Sequence, residues 1–432
     1  MKKCAVACTA GAILLFSAAC GGGETPVVPY NPAEGSYAME DIVREDLMWD
    51  TETLFAAEPE IETLSEVNPG KNMTAIKFES VAYPLKDLDH KRTFAVVGVP
   101  DETEFPMPEG GYPGIVLVHG GAGQVYPEWV KLWNEKGYVA IAIDIFGNEL
   151  DASLNKKTNP EGGPTEGYSG SKNQTAEEWE DSWVYHCVAD IILANDILRA
   201  REDVNPNQIG CTGISWGGVL TCIASGVDKR FAAFAPIYGA GYLYEDSFGA
   251  GGIFGGSEGS AGREAWISAY DPSAYLPYAT KPMLFVSGID DNCFDVVSRA
   301  KSIALVPGKV FASQRSDLQH GYYWDQTYEV YAFMEHVLRG KDTAILVTDS
   351  GVREGKAYIE IENPDYVEQI NFLYTTDSGS DSHSWRFESM SLEVSGRVEI
   401  DLPEGTTAFA FECANFTVDM NFRMGSPVFL VE

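Results

Sequence analysis

The chain has 432 residues, 45% of them hydrophobic and 22% charged, which lies within the globular range and leaves ample length for a large core. Its 64 acidic and 30 basic side chains give a net charge of −34, a field that repels phosphate backbones and argues against nucleic-acid binding. The same field disfavours polyanionic substrates, whereas a neutral or acylated molecule feels little of it.

Met1-Lys2-Lys3 followed by an apolar run over residues 5–20 has the form of an export signal, and the run is too short to span a bilayer with ease. Phe16-Ser17-Ala18-Ala19-Cys20 with three glycines after it resembles a bacterial lipobox, although Ser17 stands where that box usually carries leucine. The alternative, ordinary cleavage after Ala19, satisfies the same small-residue rule. On the lipobox reading residues 1–19 are removed, Cys20 is acylated, and residues 20–36 tether an exported lipoprotein to a membrane in the periplasm or at the cell surface. Five cysteines remain beyond Cys20: Cys187, Cys211, Cys222, Cys293 and Cys413. No pair has the two-residue spacing of a metal knuckle or redox motif, so they read as small buried hydrophobes with one bridge open to them.

Apolar stretches within residues 74–99 flank the polar turn Asp87-Leu88-Asp89-His90 and predict a hairpin at the edge of a larger sheet. Residues 114–118 (GIVLV) form a continuous aliphatic run of the kind buried on both faces of a parallel sheet. Trp129, Leu132 and Trp133 on one face, with Gly137 to end it, predict a helix over 126–136. The alternation continues with a strand over 138–145 and a long helix over 175–200 opened by the capping box Thr175-x-x-Glu178. Further strands at 208–212, 231–238, 282–287 and 309–312 are separated by helical stretches, the last at 328–338 before Gly340. This is the grammar of an α/β doubly wound, mostly parallel sheet. After Lys341 short alternating runs at 357–361, 370–374, 397–400, 408–411 and 428–430 predict a small antiparallel β-sandwich. The expected division is therefore 37–342 for the α/β unit and 343–432 for the sandwich.

Gly213-Ile214-Ser215-Trp216-Gly217 follows a strand and precedes the apolar stretch 219–224, the context of a nucleophile elbow, in which small residues two before and two after the serine avoid clashes at a strained turn. The same letters recur at Gly255-Gly256-Ser257-Glu258-Gly259, but in a glycine-rich stretch with neither strand nor helix around it. Ser215 is therefore the candidate nucleophile. It needs a base. Of six histidines, His90, His336 and His383 have ordinary places in a turn, a helix and a loop; His186 faces the core of the long helix, and His119 precedes the serine, against the serine, acid, histidine order expected on such a sheet. His320, in Gln319-His320-Gly321 after a strand, remains. The acid should end a strand between them, where Gly288-Ile289-Asp290-Asp291 stands; the G-x-x-D placement selects Asp291 over Asp290 to orient the imidazole. His119-Gly120-Gly121-Ala122-Gly123 leaves backbone N–H groups open at the end of a strand, so the amides of Gly121 and Trp216 are the expected oxyanion hole.

These motifs together resemble the α/β-hydrolase superfamily, and residues 75–340 are similar to bacterial acetylxylan esterases and the dienelactone-hydrolase and prolyl-oligopeptidase-like group around them. Dienelactone hydrolases proper carry a cysteine nucleophile where Ser215 stands. Oligopeptidases proper carry a large propeller ahead of the catalytic unit, and only about eighty residues separate the tether from Val116 here. The resemblance therefore implies a serine hydrolase of short acyl esters, acetyl esters of carbohydrates such as xylan among them, acting without metal or organic cofactor. A prolyl-oligopeptidase-like peptidase and a non-catalytic glycan-binding lipoprotein are the alternatives. Two polar, glycine-rich insertions, 148–173 and 239–262, are expected to line the cleft, the second with Tyr242, Tyr244, Phe248 and Phe254 as a lid or a platform for sugar rings.

Overall fold

The computed structural model describes residues 30–31, 36–37, 39–163, 181–245, 261–377 and 385–431. Its centre is a run of six parallel strands. In spatial order they are Val310–Arg315, Met283–Gly288, Ala233–Ile237, Val204–Ile214, Tyr112–Val118 and Val139–Ile143. Every residue of Tyr112–Val118, Val139–Ile143 and Met283–Gly288 is buried, as near-continuous aliphatic runs demand when helices cover both faces. One edge is extended by the antiparallel strands Arg92–Gly98, Met73–Glu79 and Ile61–Thr63, the first two forming the expected hairpin.

The helices that cover the sheet start and stop at local signals of several kinds. Pro127–Asn134 opens on a proline at its first turn. Trp183–Arg199 starts later than the expected helix over 175–200, because the Ser182 side chain accepts from the Tyr185 amide and caps it there; the Thr175-x-x-Glu178 box lies outside the described residues. Tyr328–Arg339 ends on Gly340, which takes the left-handed conformation at φ 64°.

The C-terminal strands do not stand apart from this sheet. Arg423–Gly425 pairs antiparallel with Val310–Arg315 and carries the sheet on through Ala408–Ala414, Gln369–Thr375 and Glu388–Leu392, with Phe429–Leu430 also on Ala408–Ala414. A second, three-stranded sheet of Val347–Arg353, Lys356–Ile361 and Arg397–Asp401 completes the antiparallel part. Phe372, Phe409, Phe411 and Met424 belong to the same hydrophobic cluster as the central strands. The five cysteines beyond residue 20 are all free, and four of them are buried.

Candidate active site

Strand Val204–Ile214 passes into helix Trp216–Val227 at Ser215, which holds φ 58° and ψ −116°, a conformation strained for any residue with a Cβ. The Ser215 amide donates to the Ile237 carbonyl at 2.9 Å, and the Val219 amide donates to the Ser215 carbonyl at 2.9 Å. The turn is so tight that a Cβ on Gly213 would collide with the Gly217 carbonyl, and one on Gly217 with the Val118 carbonyl. Both obstacles are backbone, which cannot rotate away.

The Ser215 hydroxyl lies 3.0 Å from His320 Nε2, and His320 Nδ1 lies 3.0 Å from Asp291 Oδ2. The other carboxylate oxygen of Asp291 accepts the amides of Cys293 at 2.7 Å and Phe294 at 3.0 Å. Oδ2 is thereby left for the imidazole, which in its neutral form keeps its proton on Nδ1 and turns the Nε2 lone pair to the serine. Burial disfavours a charge on His320, but the hydrogen bond and charge of Asp291, with Cys293 adding to both, outweigh it and push its pKa up to about 9. Burial likewise opposes ionisation of Asp291; the bond to His320, the nearby charges of His320 and Arg299, and the Cys293 amide overcome it and hold the carboxyl below its usual range. Asp290 points elsewhere: it is exposed, and its carboxylate accepts the Phe387 amide at 3.4 Å.

Buried Arg299 grips the loop carrying the acid. Its guanidinium donates to the carbonyls of Gly288 at 2.9 Å and Ile289 at 2.8 Å and to Gln314 Oε1 at 2.7 Å. Gly288 in turn leaves no room for a Cβ against the Leu318 carbonyl, so the acid and histidine loops are packed backbone to backbone. The histidine loop is also held from the C-terminal strands, where the Glu412 carboxylate accepts the Ser316 amide at 2.8 Å and the Ser316 hydroxyl at 3.1 Å.

The glycine loop after Tyr112–Val118 lies directly over the serine. A Cβ on Gly120 would sit 2.7 Å from the Ile214 carbonyl and 3.0 Å from Ser215 Cβ, while Gly121 packs on the Trp216 ring. Three side chains fix the loop from outside. Buried His119 bonds the Gly120 carbonyl through Nδ1 at 2.9 Å, and its Nε2 lies 3.2 Å from the Ile145 amide, so it clamps the loop to the chain just after strand Val139–Ile143. The Tyr322 hydroxyl donates to the Gly121 carbonyl at 2.9 Å, and Lys156 Nζ donates to the Ala122 carbonyl at 3.0 Å. Lys156 belongs to the first insertion, in the short hairpin of Asn148–Leu150 and Lys156–Thr158.

Among the other histidines, His186 is buried and its pKa is depressed to about 2, chiefly by burial and then by Lys91 and Lys86. His336 bonds the Lys341 carbonyl and the Tyr37 hydroxyl, and His90 pairs with Glu79 at the surface. In the second insertion Tyr242 and Tyr244 are half-buried, and the Tyr242 and Leu243 amides are anchored on the Asp271 carboxylate. Cys20, Phe248, Phe254, Ser257 and His383 lie outside the described residues. One group of three metal-ligating side chains occurs among the described residues, namely Asp291, Cys293 and His320, with a donor atom from each within 4.8 Å of the others.

Residues 165–307 match the prolyl oligopeptidase family. No curated protein matches the chain in sequence. The acetyl xylan esterase from Paenibacillus sp. R4 superposes with a TM-score of 0.53 at 17% identity, over 70% of this chain and 97% of that one. The chain has the α/β-hydrolase fold. An acetyl xylan esterase from a Thermoanaerobacterium species (TM-score 0.49, 14% identity, 65% of this chain and 89% of that one) is also similar. So is the acylaminoacyl peptidase of Pyrococcus horikoshii (0.46, 18%, 63% and 43%). Four features of this site have no local signature: Arg299, Tyr322, Lys156 and Glu412 act on loops outside their own segments of the sequence.

Proposed function

We propose that the protein is a serine esterase that removes short acyl groups, acetyl above all, from carbohydrates such as acetylated xylan. The observation that carries the proposal is the relay from Ser215 through His320 to Asp291, with both contacts at 3.0 Å and the serine raised on a strained turn. In this reading Ser215 attacks the acyl carbonyl while His320 Nε2 takes its proton. His320 then returns that proton to the departing sugar oxygen, and water repeats the sequence on the acyl-enzyme. Asp291 holds the imidazole in the required tautomer and stabilises the imidazolium. The amides of Gly121 and of Trp216, the latter at a helix N-terminus, are assigned to the developing oxyanion.

The carbohydrate ester is supported by the similarity to acetyl xylan esterases and by the net charge of −34, which an acetylated neutral glycan does not oppose. The match to the prolyl oligopeptidase family favours a peptidase as the second reading. The discriminating experiment compares acetate released from acetylated xylan oligomers with cleavage of peptide amides, alongside p-nitrophenyl esters of increasing chain length. Acetate release with rates falling steeply beyond acetyl is expected. Equal rates on octanoyl esters would rule out a small acyl pocket, and peptide cleavage without acetate release would favour the second reading.

The N-terminal features belong to the same proposal: an exported lipoprotein anchored through Cys20 meets polymers outside the cytoplasm. Labelled palmitate should enter the wild-type band and not Cys20→Ser, which should become soluble; label retained in the variant would refute the anchor.

A further inference from the structure

The Cys293 thiol transfers no proton in the relay, yet it stands beside His320, two residues after Asp291, and is the one cysteine among the described residues that is not buried. Its sulfur, a carboxylate oxygen of Asp291 and a ring nitrogen of His320 lie within 4.8 Å of one another, and the thiol's neighbour is the Asn292 side chain at 3.6 Å. Thiolate, imidazole and carboxylate are the donor set of a three-ligand zinc site that keeps a fourth position open to water. On a common zinc, with bonds of about 2.0–2.3 Å, such donors stand roughly 3–4 Å apart. The cluster therefore needs to contract by about 1 Å, within reach of a rotation of the half-exposed Cys293 side chain.

We propose that Asp291, Cys293 and His320 form a binding site for a thiophilic divalent cation such as zinc, and that its occupancy switches the active site off. The Asp291 carboxylate already carries its charge, and the thiol loses its proton to solvent as sulfur binds the metal. The imidazole gives its Nδ1 proton up to solvent and that nitrogen's lone pair to the cation, so the one proton it keeps sits on Nε2. That nitrogen is the one 3.0 Å from the Ser215 hydroxyl, and once protonated it has no lone pair with which to accept the serine proton. The cation thus replaces the Nδ1–H contact to Asp291 and reverses the tautomer on which the relay depends. A magnesium ion, which prefers six oxygen donors, does not satisfy this set.

Binding rests on the donor geometry alone, whereas inhibition also rests on the serine esterase reading, and the test separates them. The full chain, treated with chelator and desalted, is titrated with zinc chloride during p-nitrophenyl acetate hydrolysis, with magnesium chloride as control, and each variant is compared with its own metal-free rate. Zinc should inhibit, chelator should restore the rate, magnesium should have no effect, and Cys293→Ser should raise the half-inhibiting zinc concentration at least tenfold. Independently of activity, cadmium should give one equivalent of thiolate-to-metal charge-transfer absorption in the ultraviolet that Cys293→Ser loses while its circular dichroism stays that of the wild type. Absence of that band, or equal zinc sensitivity in wild type and Cys293→Ser, would overturn the site. A Cys293-dependent band with an unchanged rate would support the site, overturn the switch, and count against His320 as the base.

Discussion

Ser215 is held at φ 58° by bonds of its own backbone to Ile237 and Val219, so the turn does not depend on the hydroxyl. Replacing it with alanine should therefore leave folding intact and abolish turnover, and adding His320→Ala should cost little more, since members of such a relay act as a unit. Retained activity in Ser215→Ala, with loss in Ser257→Ala, would move the nucleophile to the other G-x-S-x-G. Asp291→Asn should lower kcat by several orders of magnitude by permitting the wrong tautomer, and Asp290→Asn should have little effect because Asp290 turns toward Phe387. The pH dependence follows from the same contacts. With His320 raised to about 9 from 6.5, the base is charged at neutral pH, so kcat/KM should climb with pH and level off above about 9. In Asp291→Asn the midpoint should fall back toward 6.5; an unchanged midpoint would remove Asp291 as its cause. The stability conferred by charged His320 is complete below 6.5 and is lost as pH rises through about 9.

At the scale of elements, loops are pinned against one another by groups that cannot yield. Arg299→Met removes two hydrogen bonds from the acid loop and a third from Gln314, a loss of roughly 3 kcal/mol. It should lower kcat more than it raises KM, because the guanidinium positions Asp291 and touches no substrate. Gly217→Ala, whose new Cβ meets the Val118 carbonyl, should cost about 1–3 kcal/mol in urea unfolding even before activity is considered. Much of this architecture is legible in the chain itself. Aliphatic runs such as GIVLV at 114–118 read as buried strands because burial on both faces removes alternation, and the glycines at 213 and 217 read as an elbow because the constraint they meet is local. The clamps are not legible in the same way. Arg299, Tyr322 and Glu412 reach across 11, 201 and 96 positions to their partners, and no spacing within a motif encodes such a pairing. The start of the helix at Trp183 turns on a single serine cap, a weaker signal than a capping box.

Over the whole molecule the antiparallel strands Gln369–Thr375, Glu388–Leu392, Ala408–Ala414 and Arg423–Gly425 continue the central sheet, joined to it at Arg423–Gly425 and sharing its core. Glu412 on that extension holds Ser316, four residues before the candidate base. Glu412→Ala should accordingly lower kcat at a distance, and a chain truncated after residue 342 should lose activity and solubility, since it bares the strand Val310–Arg315 as an unpaired edge. The joined sheet also bears on how the protein comes apart. Two units linked only by a flexible connector melt independently, whereas units sharing strand pairing and buried aromatics lose their stability together. Denaturant unfolding followed by the fluorescence of Trp216 and its neighbours in the α/β part, and by that of Trp385 in the extension, should therefore give coincident midpoints and a single calorimetric peak. An early transition confined to Trp385 would mean that the shared strand pairing does not make the two parts one cooperative unit.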